Sequence, residues 1–319
     1  MRKLTILQAG PFSTVQDDGR HGCQHLGVPI SGALDRDALL IGNHLVGNNA
    51  KGSAIEICFG GFRARVSAST TVAIVGSAEA CIKHYDIKGA VKEYVPGQVI
   101  TIDEEEEIEI PPFKDTLSVL LCVSGGIDVP LIYGSYATTS NAQIGGHEGR
   151  RLEDGDKLTI GKCASSPPNP NYIVPRDLFH KTDRLRIILG PQDHWFTPET
   201  LAILVKEPYK ISPQTSRMGM RLSGQPLKHK GAADIISDAM TRGILQVPAD
   251  GQPIIAMADH GTMGGYTKIA CVISADLSML GRLRPNDSIT FEVVTSQEAG
   301  QASREKHARL QSIIKEIHQ

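Results

Sequence analysis

Thr71-Val72-Ala73-Ile74-Val75 stops at Gly76, and Leu117 to Val123 runs into Ser124-Gly125-Gly126. Short β-branched runs closed by glycine suit strands, because a branched Cβ fits a pleated surface and glycine supplies the turn. A strand cannot satisfy its own backbone groups, so runs of this kind commit the chain to sheets. With 32 Gly and 18 Pro among 319 residues, tight turns between many short strands are available. The first half therefore reads as mostly β.

Helices are few. Asp35 is placed to cap a helix carrying the apolar stripe Ala38, Leu39, Ile41, Leu45 and Val46, with Gly47 as its stop. A second helix is expected around Pro198 to Lys206. A third starts at about Ser296, where Thr295 and Glu298 make a capping box and Leu310, Ile313, Ile314 and Ile317 share a face. β signals resume at Leu185-Arg186-Ile187-Ile188-Leu189. The Pro-rich stretch Ala164-Ser165-Ser166-Pro167-Pro168-Asn169-Pro170-Asn171 reads as an extended connection. It divides the chain into an N-terminal β domain, 1–165, and a C-terminal β domain with a closing helix, 175–319. Each is large enough to bury a core without disulfides or metals. Three segments beginning at Pro96, Asp154 and Pro285 share a turn followed by an alternating strand. They fit two related β domains in tandem, or simply a common local solution met three times.

Charge and motifs exclude several functions. The formal net charge is -2 and aromatics make up 5%, with Trp195 the single tryptophan, so neither a phosphate-backbone surface nor base-stacking platforms are expected. The apolar stretch after Met1 is too short for a signal-peptide core, and no run of about 18 apolar residues appears, so no membrane span is expected. Cys23, Cys58, Cys81, Cys122, Cys163 and Cys271 are scattered without a C-x-x-C, which reads as reduced, buried thiols in a cytoplasmic protein. There is no P-loop, no G-x-S-x-G and no H-E-x-x-H. No Met-Lys-Met biotin attachment site exists. His21 and His25 flank Cys23 without a second cluster nearby, so no metal is expected. Asp103-Glu104-Glu105-Glu106-Glu107 reads as a solvated turn, not a calcium loop.

Three segments carry chemistry. Thr14-Val15-Gln16-Asp17-Asp18-Gly19-Arg20 sets the amide of Gln16, the carboxylate of Asp17 and the guanidinium of Arg20 beside glycine. In Arg217-Met218-Gly219-Met220-Arg221-Leu222, extended backbone puts Arg217, Gly219 and Arg221 on one face. Two planar positive forks with no side chain between them would admit an anion to the backbone. In Asp259-His260-Gly261-Thr262-Met263-Gly264-Gly265-Tyr266-Thr267-Lys268, the glycine pair can turn successive N–H groups inward as an anion nest. For each there is a plainer alternative: a turn, an edge strand with surface arginines, a flexible hairpin.

These segments also carry a resemblance. The chain resembles the allophanate-hydrolase-subunit-2 family, also called KipA-like or biotin-dependent carboxyltransferase-like. The likeness runs nearly end to end. It includes Thr14-Val15-Gln16-Asp17 with Gly19-Arg20, Gly27-Val28-Pro29, Ser31-Gly32-Ala33-Leu34-Asp35, Asn43, and Gly47-Asn48. It continues with Ser124-Gly125-Gly126-Ile127, Gly134-Ser135, Gly190-Pro191, Arg217-Met218-Gly219 with Arg221-Leu222, and Ser237-Asp238. It ends with Gln246-Val247-Pro248, Gly251-Gln252-Pro253 and Gly264-Gly265-Tyr266. Where many relatives read D-R-Q-T-T-G-G-Y-P, this chain has His260, Gly261, Met263 and Thr267; the glycine pair and Tyr266 remain, which implies a loop of the same shape.

The resemblance implies a mainly β chain of two tandem cyclophilin-like β-barrel domains. Family members resemble the C subunit of the bacterial ATP-dependent 5-oxoprolinase, an amidohydrolase active only with its partners. Those are a KipI-like protein, of the allophanate-hydrolase-subunit-1 family, and a LamB/YcsF-type protein. ATP is the complex's co-substrate, and no covalent biotin is expected on this chain. Activating a lactam carbonyl needs cations and N–H donors where oxyanion charge develops. Arg217, Arg221 and the Gly264-Gly265 backbone, with Tyr266, suit that task. Asp238 or Asp259 would position water or the lactam N–H, and Gln16, Asp17 and Arg20 form a second candidate set. Two other roles occur among relatives: carboxyl transfer to urea or a related amide from biotin on another protein, and sequestration of a histidine-kinase inhibitor.

Overall fold

The computed structural model describes residues 1–163 and 165–319; of the proline-rich connection, Ala164 lies outside the described residues. By contacts the chain groups into two units. The first comprises residues 1–20, 31–181 and 309–319, the second residues 21–30 and 182–308. The expectation of a mainly β chain with a few helices holds.

The first unit contains β1 (Lys3–Gln8), β2 (Phe12–Gln16), α1 (Arg36–Leu45), β3 (Ala54–Cys58), β4 (Phe62–Val66), β5 (Thr70–Val75) and β6 (Ile82–Tyr85). It continues with β7 (Val91–Tyr94), β8 (Val99–Ile102), β9 (Glu107–Ile110), β10 (Ser118–Val123), β11 (Ile127–Asp128) and β12 (Lys157–Ile160). One sheet runs β11-β12-β1-β4-β9-β6-β7 and the other β2-β3-β10-β5-β8. Leu4, Ile6 and Phe62 of the first sheet and Ile55, Ile57 and Leu121 of the second share one fully buried cluster, so alternate residues of both sheets meet face to face. The glycine-ended runs are the central strands β5 and β10, which pair with each other. The other face of that sheet carries α1. Asp35 caps it, accepting from Ala38 N at 3.0 Å. Gly42 lets the helix approach closely: a Cβ there would lie 2.5 Å from Cys122 Sγ. The acidic run is a turn leading into β9, and its last member, Glu107, is held below the usual carboxylate range. Burial opposes that shift, but the hydrogen bonds and charges of Arg65 and Arg63 outweigh it.

The second unit contains β13 (Arg184–Leu189), α2 (Pro198–Lys206), β14 (Tyr209–Ile211), β15 (Gly219–Ser223), β16 (Asp234–Ala239), β17 (Ile244–Val247), β18 (Ile254–Ala256), β19 (Met263–Val272) and β20 (Ser288–Val293). Their order is β13-β20-β14-β15-β18-β17-β19-β16. β13 also pairs with the end of β19, which closes a seven-stranded barrel. Closure removes open edges, except at β16, which continues the same edge of β19 past the point where β13 leaves it. Leu185, Ile187, Tyr209, Ile211, Leu245, Val247, Ile255 and Ile289 are fully buried in this unit. α3 (Ser296–Ile317) closes the chain. Its capping box is formed: Thr295 N donates to Glu298 Oε2 at 2.7 Å and Thr295 Oγ1 accepts from Glu298 N at 3.2 Å. Leu310, Ile313 and Ile317 join α1 in the first unit's second apolar cluster.

The three turn-plus-strand segments are all strands, at β8, β12 and β20. The cysteines are free, but the expectation of burial holds only for Cys58 and Cys122; Cys163 is exposed because its strand has already ended. No helix among the described residues is long and apolar enough to cross a membrane.

Candidate functional site

The glycine pair does not form the expected loop. Gly264 and Gly265 lie inside β19, and neither has a positive φ. Strand backbone points successive N–H groups to opposite sides, so no converging nest exists here. The two glycines differ in surroundings. A Cβ on Gly264 would lie 2.5 Å from Gln246 Nε2 and 2.8 Å from Met240 Sδ, whereas one on Gly265 would have its nearest neighbour at 3.6 Å. Gly264 thus seats the Gln246 amide, while Gly265 has ordinary room.

The arginines also part company. β15 begins at Gly219, leaving Arg217 ahead of it. The Arg217 side chain is buried: its Nε donates to Asp259 Oδ2 at 2.9 Å and its Nη2 to Asp259 Oδ1 at 3.0 Å. Arg221 is exposed on the strand. The pair of forks expected on one face is therefore a buried ion pair and a separate surface arginine. The cause is the bracketing carboxylate, since Asp259 N also donates to Arg217 O and holds the two segments together.

Asp238, Gly264 and Tyr266 do come together. β16 pairs with β19 so that Asp238 faces Gly264 and Asp234 faces Tyr266. Tyr266 is exposed. The carboxylate of Asp238 receives Lys268 Nζ at 2.6 Å. The Lys268 hydrogen bond, then that from Ala239 N, holds the Asp238 carboxyl below the usual range. Lys268 is itself almost completely buried and stands opposite Gln246 in the β17–β19 register. The Gln246 side-chain nitrogen is buried with no partner among the described residues. Lys268, which ends the glycine segment, and Gln246, which the resemblance includes, were given no site role from sequence, though a lysine within Thr267-Lys268-Ile269-Ala270-Cys271-Val272 is a signal: a charge inside a buried apolar strand needs a partner. His260 is buried nearby in sequence, its Nδ1 donating to Gly261 O, and burial lowers its pKa.

Gln16, Asp17 and Arg20 lie in the first unit, where they fasten residues 132–139. Gln16 Nε2 donates to Thr138 O at 3.0 Å, and Asp17 accepts from Ser135 Oγ and Tyr136 N, both at 2.7 Å. Arg20 is fully buried and donates to Ile132 O, Thr139 Oγ1 and Ala137 O. Gln16 Oε1 alone in this set is buried without a partner among the described residues. Chemically, then, the second unit offers one exposed carboxylate beside a buried ammonium and a buried amide, and the first offers a bonded knot.

Comparison with known proteins accords with this architecture. The family model described as carboxyltransferase domain, subdomain A and B, matches residues 26–293. A protein of Escherichia coli, named as the C subunit of 5-oxoprolinase, is 34% identical over 99% of this chain and 99% of its own length. A protein of the same name from Haemophilus influenzae is 31% identical over 97% of each. Among solved structures, the urea amidolyase of K. lactis superposes with a TM-score of 0.89 at 24% identity, covering 98% of this chain and 20% of that one.

Proposed function

The chain belongs to the carboxyltransferase domain family, subdomain A and B, and on that premise we propose that it is the C subunit of an ATP-dependent 5-oxoprolinase. The reaction is the hydrolytic opening of the 5-oxoproline ring to glutamate. The observation that carries this reading is the end-to-end match to the E. coli protein of that name, 99% of both chains at 34% identity. The carboxyltransferase reading leans on similarity to urea amidolyases, of whose length this chain spans a fifth or less. The partners in the proposed complex are a KipI-like protein and a LamB/YcsF-type protein, in the cytoplasm.

A lactam carbonyl is resonance-stabilised and resists water until its oxygen is activated, chemistry that ATP would supply in the complex. Neither the glycine pair nor Arg217 fits a phosphate cradle: the glycines continue a strand, and Arg217 is committed to Asp259. No step is therefore routed through the nucleotide here. What this chain supplies is the site along β16 and β19. Asp238 is a solvent-facing carboxylate, and so can accept a hydrogen bond from the lactam N–H or from water. Asp259, with both oxygens on Arg217, serves the scaffold instead. Reconstitution tests the reading. Purified chain mixed with the two partner proteins should release phosphate from ATP when 5-oxoproline is added and not when urea is added. Release that depends on urea, or none with either compound, overturns it.

A further inference from the structure

Lys268 presents an unusual charge balance. Its side chain is 2% exposed, yet the carboxylate that neutralises it, Asp238, is 57% exposed and sits on β16. That strand is paired along one edge only. Opposite Lys268, the buried Gln246 amide nitrogen has no acceptor among the described residues, and Gly264 holds it in place by having no side chain. Lys268 thus has its acceptor on an exposed residue of β16, and the Gln246 nitrogen, lying beside the Gly264 that faces that same Asp238, has none among the described residues. We propose that Lys268 and Gln246 form a binding site for the carboxylate of a small organic acid, and that Asp238 occupies this site until the acid displaces it.

The exchange conserves charge. A buried ammonium left without a counter-ion is strongly disfavoured, so one carboxylate leaves only as another arrives. The arriving group has two oxygens, one for Lys268 Nζ and one for Gln246 Nε2, and so satisfies a donor that Asp238 leaves unmet. A neutral amide such as urea has no charge to exchange for that of Asp238, so the site selects acids. Recognition of a carboxylate stands on this geometry; only the choice of a lactam acid as the ligand rests on the function proposed above.

Three probes separate the parts. Cyclopentanecarboxylate has the acid without the lactam, 2-pyrrolidinone the lactam without the acid, and 5-oxoproline both. Calorimetric titration of the full chain should show both acids binding and 2-pyrrolidinone at least about tenfold weaker. Lys268→Met should weaken both acids by about ten- to a hundredfold, the worth of a lost charge-assisted bond. Asp238→Asn removes the internal competitor at an exposed position and should tighten both acids. Equal acid binding by parent and Lys268→Met, or acid binding by Asp238→Asn no tighter than by the parent, overturns the proposal. If Lys268→Met does not fold, the Asp238→Asn titration decides alone. Cyclopentanecarboxylate binding with this mutational pattern, alongside a reconstituted complex inert to 5-oxoproline, keeps the site and discards the functional reading; an active complex without the pattern does the opposite.

Discussion

Removing the Asp259 carboxylate should cost stability, not ligand affinity. In Asp259→Ala, the Arg217 guanidinium loses two hydrogen bonds, of 2.9 and 3.0 Å, from a position where both side chains are below 10% exposed. Breaking a buried pair by deleting one partner costs about 3–5 kcal/mol, because the remaining charge cannot regain water. Other interactions of Arg217 persist, which favours the lower end. A loss of about 3 kcal/mol lowers the melting temperature by roughly 5–10 °C, the larger figure if the second unit melts by itself. The double variant Arg217→Met/Asp259→Leu removes both charges and refills much of the volume, so most of that loss should return. Urea denaturation of parent, single and double variants measures all three. A single variant within about 0.5 kcal/mol of the parent, the range of plain surface changes, refutes the reasoning. So does a double variant less stable than the single one. An anion clamp predicts the other pattern, with unchanged melting and lost activity.

The glycines and the histidines give two further tests. Gly264→Ala should destabilise by about 1–3 kcal/mol through overpacking against Gln246 and Met240, while Gly265→Ala should stay within about 0.5 kcal/mol; equal thermal shifts for the two would contradict the packing described. Burial lowers the pKa of His44, His229 and His260 from 6.5, and His318 adds to the effect at His44. Each binds its proton less readily folded than unfolded, so its contribution to stability is complete above pH 6.5 and is lost as pH falls through the depressed folded values. Urea midpoints should therefore drop between pH 7.5 and 5.5, and His44→Gln should shrink the drop; a parent midpoint identical at both pH values would rule this out.

Local signals with a local cause were legible in the sequence. Asp35 and Thr295 cap helices because a cap needs only residues three positions apart, and the runs at Thr71 and Leu117 are central strands because β-branching and the closing glycines act within each run. The wiring of the proposed site was not legible. The β16–β19 pairing sets Asp238 opposite Gly264 and Asp234 opposite Tyr266. Arg217 is committed to Asp259, 42 positions away, and alternation along the chain cannot reveal a partner on another strand. The glycine pair misled for a related reason: glycine permits positive φ, but it equally permits a neighbouring side chain to sit where a Cβ would be. Only the position of Gln246 decides between these. Lys268 ends the glycine segment and carried a further clue, since a lysine inside an apolar strand demands an acceptor even before that acceptor is known.

The cluster around α1 has a consequence for the order of events during synthesis. Leu310, Ile313 and Ile317 pack with Leu39, Leu45 and Leu120, so the first unit, translated first, cannot finish its core until residues 309–319 have been made. The barrel waits in the same way, because β13 must find β20 about a hundred residues later. For most of its translation the nascent chain therefore carries an uncovered apolar face, the condition in which β-rich intermediates stick to one another. Slowed elongation beyond residue 293, or a truncation that removes the last eleven residues, should register as aggregation during expression before it registers as any change in the finished barrel.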